Sequence, residues 1–97
     1  MFVVLEGAGS VRVAGELLPL KKGDVVFAPA GKDYPHQIVN TSDAPLKYLA
    51  ISNREPIEIC EYPDSGKFAA DATPDGREAF GVVQRKGEDL DYWDGEP

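Results

Sequence analysis

The chemistry open to this 97-residue chain centres on one histidine, His36. An imidazole can ligate a transition metal, move a proton near neutral pH, or hydrogen-bond a small molecule. Tyr34 and Tyr48 are the other candidate ligand-binding residues, since each offers an aromatic face and a hydroxyl. Tight metal binding by imidazole and carboxylate needs three or four convergent ligands. Asp33 stands on the loop before His36, Glu6 at a strand end, and Cys60 far along the chain. None of them has the spacing of a ligand cluster. His36 is therefore the lone candidate metal ligand. The competing expectation is a histidine satisfied by hydrogen bonds inside a polar-lined barrel. Asn40 is expected to bond turn backbone, and Cys60 to be a small buried apolar residue. No catalytic residue is identified.

The elements that must position these residues read as short strands. Phe2 to Leu5 is an apolar, β-branched run followed by Gly7 and Gly9. Val11 and Val13 alternate with Ser10, Arg12 and Ala14, the pattern of a half-buried strand. Leu17 to Leu20 continues as a strand with Pro19 inside, which marks an edge or a bulge. Val25 to Ala28 is a strand ended by Pro29-Ala30-Gly31, and Lys32 to Pro35 is a loop. His36 to Asn40 is a strand with His36 and Ile38 on one face. Asn40 to Pro45 is a turn cluster. Further strands are expected at Leu46 to Ser52, Ile57 to Tyr62 and Phe80 to Gln84. Pro63 to Arg77 reads as a long surface excursion. The last segment, GEDLDYWDGEP, is acidic but carries Leu90, Tyr92 and Trp93. It is expected to pack on its own barrel, with a subunit interface or a ligand as the lesser alternatives. No segment of ten or more residues keeps helical periodicity, and strands spaced by Gly/Pro turns indicate an all-β barrel or sandwich.

Composition excludes several function classes. The net charge of −7 and a pI near 4.5 disfavour nucleic acid and anionic membrane surfaces as partners. No apolar run approaches the length of a membrane helix, and the start has no basic region of a signal peptide. A single cysteine allows no internal disulfide and fits a reducing cytoplasm. There is no nucleophile elbow, phosphate loop, dinucleotide glycine pattern or zinc-type cysteine pair.

The run from Gly23 to Asn40 resembles the second motif of the cupin superfamily. That motif has a glycine, five residues, Pro-x-Gly, a gap, a histidine, three residues and an asparagine. Here these are Gly23, DVVFA, Pro29-Ala30-Gly31, KDYP, His36, QIV and Asn40. The gap holds four residues where the common form has two. The preceding FVVLEGAGSVRVAGE resembles the end of the first motif, with Gly7 as its closing glycine. The resemblance runs from Met1 to about Ser52. It implies a cupin-like jelly-roll barrel, shortened at its N-terminus, and a divalent transition metal at the barrel centre. It also implies two histidines and a glutamate from the first motif, which would fall before Met1. Only His36 matches a ligand position.

The resulting expectation is an all-β cupin with residues 1–62 as barrel core. Residues 63–97 supply the excursion, the last strand and the acidic aromatic tail of the same domain. The expected function is small-molecule binding with an incomplete metal site. The alternative is a metal-dependent cupin enzyme, of isomerase or oxygenase type, whose remaining ligands lie upstream or on a partner chain. A third is an interaction module using the tail. A barrel lacking its first strands leaves an open sheet edge. A homodimer is therefore expected, with Phe2 to Leu5 paired across its interface.

Overall fold

The structure, a computed structural model, describes residues 1–31, 33–87 and 89–97. Lys32 of the expected loop and Glu88 of the acidic tail lie outside the described residues. The regular structure among those described is nine strands and one 3-10 turn at Pro74–Gly76. The strands are β1 (Phe2–Glu6), β2 (Ala8–Val13), β3 (Glu16–Lys21), β4 (Val25–Val26), β5 (His36–Val39), β6 (Lys47–Ala50), β7 (Ile57–Tyr62), β8 (Lys67–Ala72) and β9 (Phe80–Arg85). No helix among the described residues is long and apolar enough to cross a membrane. The chain divides into two units, Met1–Arg54 and Glu55–Pro97.

The first unit holds two antiparallel sheets, ordered β4-β1-β6 and β3-β2-β5. The pairing is nested: β1 meets β6 and β2 meets β5. Such nesting, a long hairpin rolled on itself, is the plan of a jelly roll. Register decides which side chains face inward. Val11 lies opposite Leu18 and Ile38, Gly9 opposite Leu20, and Val13 opposite His36, so these share one sheet face. On the other sheet Phe2 lies opposite Val26 and Ala50, and Val4 opposite Tyr48. Val4, Val11 and Leu20 form the buried core, with Val13, Val26, Ile38 and Leu46 half-buried around it. Pro19 sits on β3, which pairs only with β2, so its missing N–H is tolerated at a sheet edge.

Two glycines set the geometry near this core. Gly7 has φ +87°, and a Cβ there would collide with the Pro45 carbonyl, so the close approach of two backbones requires glycine. Gly23 is the third residue of the Lys21–Asp24 turn, closed by Asp24 N–H to Lys21 O at 3.0 Å. Its φ of +90° is the region that type II turns reserve for glycine. The turn is locked further by Lys21 N–H to Asp24 Oδ2 at 2.9 Å and Gly23 N–H to Val4 O at 2.9 Å.

Three expectations change here. Phe2 to Leu5 is not a free edge, because Phe2 and Val3 are paired on both sides, with β4 and with β6. The ladder hydrogen bonds of Phe2 and Val3 are thus taken up within the chain. β4 ends at Val26, and Phe27 to Pro29 leave the sheet; Pro29 has no N–H to extend a ladder. The supposed excursion contains β8, the central strand of the second unit's β7-β8-β9 sheet. Its small residues, Ala69, Ala70 and Ala72, give little hydrophobic signal, yet cross-strand pairing on both sides fixes it as a strand.

That second sheet has two unlike faces. Ile57, Ile59, Phe68, Phe80 and Val82 share one, interspersed with Ala70 and Ala72. Glu58, Cys60, Tyr62, Lys67, Asp71 and Arg85 share the other with Ala69 and Val83. Cys60 is exposed rather than buried, as are all six residues of β7 on both faces. There its hydrogen bond and charge push the Tyr62 hydroxyl above the usual phenol range. The Lys67 ammonium lies 5.4 Å from the Tyr62 ring centroid. In the tail Tyr92 and Trp93 pack edge-on against each other at 4.9 Å and stay exposed, at 82% and 70%, rather than packing on a core.

Candidate functional site

A cavity of about 250 Å³ opens at the end of the first unit where β2, β4 and β5 come together. Val13 and His36 supply one wall, as directly opposed residues of β2 and β5. Val26 supplies another from β4. Phe27, Ala28, Pro29 and Tyr34 form the rim, contributed by the chain as it leaves β4 and returns to β5. Among the described residues the walls are apolar apart from His36 and Tyr34. This is the composition of a small-molecule site: an apolar container with few polar groups to fix orientation. It differs from the polar-lined interior expected around His36. Register sets His36 opposite Val13 at the strand end, and its side chain is exposed rather than enclosed in the barrel.

His36 is held by local contacts. Its Nδ1 lies 3.2 Å from the backbone carbonyl of Tyr34. The Phe2 ring meets the imidazole at 5.7 Å between centroids and Tyr48 at 5.9 Å, both edge-to-face. Phe2 therefore joins the two sheets beside the cavity. Of the candidate ligand-binding residues, Tyr34 and His36 line the cavity together. Tyr48 is not among its walls and reaches His36 only through Phe2. Val13, Val26, Phe27 and the contact made by Phe2 were not singled out in the sequence as site residues. Inward alternation at Val13 was a partial signal, but its pairing with His36 joins residues far apart in the chain.

Asn40 closes the turn after β5. Its Nδ2 donates to Ala44 O at 2.8 Å, while its Oδ1 accepts from Ser42 N–H at 3.0 Å and Ser42 Oγ at 2.8 Å. It serves turn backbone, as its position after a strand predicts. Asp24 of the same motif is likewise engaged by the Lys21 backbone.

The residues present do not fit a bound transition metal. Among the described residues no three His, Cys, Asp or Glu side chains converge closely enough to hold one. His36 is the single imidazole of the chain, and among the described residues it meets the Phe2 ring and the Tyr34 carbonyl and lies opposite Val13. Glu6 is engaged instead with Lys47, at 3.1 Å, and Cys60 lies in the second unit.

Comparison with known proteins agrees with this architecture. The cupin domain family matches residues 1–52, over half of the chain. The chain belongs to the cupin family. An uncharacterized protein of Methanocaldococcus jannaschii is 35% identical over 65 residues, covering 63% of this chain and 50% of the relative. The chain thus spans about half the length of the curated relative it matches. No solved structure matches.

Proposed function

We propose that this cupin binds a small organic molecule in the cavity beside His36. One observation carries the reading: the histidine at the family's motif position lines a largely apolar cavity of about 250 Å³. A dry cavity of about 150 Å³ accepts benzene, so a single ring or a short branched chain fits here. Burial of such a body against valine and aromatic walls supplies affinity, and His36 and Tyr34 supply orientation. A cavity-filling substitution tests it. Ala28→Trp is expected to abolish binding of single-ring compounds in a ligand-observed NMR screen while the fold persists. Binding unchanged by that substitution contradicts the proposal.

We further propose that the protein works as a homodimer in a reducing cytosol, its one cysteine being a free thiol. The support for the dimer is the apolar face of the β7-β8-β9 sheet, where Ile57, Ile59 and Phe80 are 72%, 73% and 58% exposed. A chain of net charge −7 repels its own copy over most of its surface. This face is the exception: its one charge among the paired residues is Glu61, which the Lys86 ammonium meets at 3.3 Å. A second copy can cover it isologously without opposing like charges.

A further inference from the structure

We infer that the cavity selects a ligand carrying a hydroxyl donor on a single ring, a phenol or a small cyclic alcohol, read by Nε2 of His36. The inference rests on the small-molecule reading above and specifies its ligand class. A backbone carbonyl oxygen can only accept a hydrogen bond. The 3.2 Å contact between Nδ1 and the Tyr34 carbonyl therefore requires the proton on Nδ1. In the neutral ring this leaves Nε2 with a lone pair and no hydrogen. Nε2 has no partner among the described residues; the side chain is exposed, so Nε2 is open to solvent or to a bound molecule, and the ring is edge-on to Phe2.

A ligand that takes the place of solvent at Nε2 must donate to keep that lone pair bonded. A ketone, an ether or an ester presents only acceptors, so its oxygen would meet that lone pair unpaired. A hydroxyl completes the bond. The remaining walls, Val13, Val26, Phe27 and Pro29, ask for an apolar body, and the volume limits that body to about one ring. Tyr34 at the rim can accept or donate and does not change the requirement at Nε2.

The test uses p-cresol and its methyl ether, 4-methylanisole, as probes on the full-length protein at pH 8. The two share a ring and differ in the donor. Titrations are followed through backbone amide shifts. The expected result is that both shift the amides of Val13, Val26, Tyr34 and His36, with the ether bound about fivefold more weakly, the worth of one neutral hydrogen bond. In His36→Ala the preference is expected to vanish. In His36→Gln, whose side-chain carbonyl still accepts, it is expected to persist. Because the chain has a single histidine, a long-range proton–nitrogen spectrum reads the tautomer directly. It is expected to show Nε2 as the unprotonated nitrogen. Equal affinities for the two probes at these amides, or a proton on Nε2, overturn the donor rule and leave cavity binding standing. No shift at these amides with either probe overturns cavity binding and the donor rule together.

Discussion

Phe2 and His36 meet edge to face across the two sheets of the first unit, with ring centroids 5.7 Å apart. The first strand of the chain thereby fixes a wall of the cavity built by β2, β4 and β5. Phe2→Leu keeps apolar volume but removes the ring contacts to His36 and Tyr48. We expect a loss of about 1 kcal/mol in unfolding free energy, the worth of aromatic pairing beyond area. Urea denaturation measures it, and the His36 ring resonances should broaden as the imidazole loses its neighbour. An unchanged midpoint with unchanged ring resonances would show that Phe2 contributes only bulk.

Gly7 and Gly23 separate two kinds of glycine requirement. Both have positive φ, but only at Gly7 would a Cβ meet backbone, the Pro45 carbonyl; nothing lies within 4 Å at Gly23. Gly23→Ala is expected to cost about 1 kcal/mol through strain alone. Gly7→Ala adds the clash and should lower stability by on the order of 3 kcal/mol. Urea midpoints compare them, and equal losses would remove the close approach from the account.

Ser10 is the buried polar residue of the core region, and its Oγ lies 2.9 Å from Thr41 Oγ1. Thr41→Val strands the Ser10 hydroxyl and is expected to cost about 1 kcal/mol. The double variant Ser10→Ala with Thr41→Val should recover most of that loss, because neither partner is then left unpaired. Additive losses in the double variant would show that the pair does not act as a unit.

Much of the fold was legible from the residues. The alternation of Val11 and Val13, the Pro19 interruption and the Gly23 and Gly31 turns located β2, β3 and β5 to within two residues, while β4 is half the expected length. Gly23, Pro29, Gly31, His36 and Asn40 carried the family. What failed has physical causes. β8 is built from alanines, whose small side chains leave little periodic signal, so its strand character comes from pairing with β7 and β9. The exposure of Cys60 was not legible because β7 is exposed along its whole length, its isoleucines included. The cavity was half visible. His36 and Tyr34 are near in sequence, but Val13 joins them only through the β2–β5 register, and Phe2 only across the sheets.

The apolar face of the second sheet gives a prediction on assembly. Ile59 is 73% exposed within one chain, so Ile59→Lys should leave the protomer folded. Placed at the centre of a two-fold interface, the two lysines would oppose each other without a partner. Sedimentation is expected to show a dimer for the native protein and a monomer for this variant at micromolar concentration. A native monomer at that concentration, or a variant that still dimerises, contradicts the proposed interface.

The central claim, that the cavity beside His36 is the binding site, is tested most directly by mapping amide shifts on adding p-cresol to the native protein. The account predicts saturable shifts concentrated at Val13, Val26, Phe27, Ala28, Tyr34 and His36. Shifts gathered instead on the β7-β8-β9 sheet or the tail around Trp93, or no saturable shift at all, would contradict it.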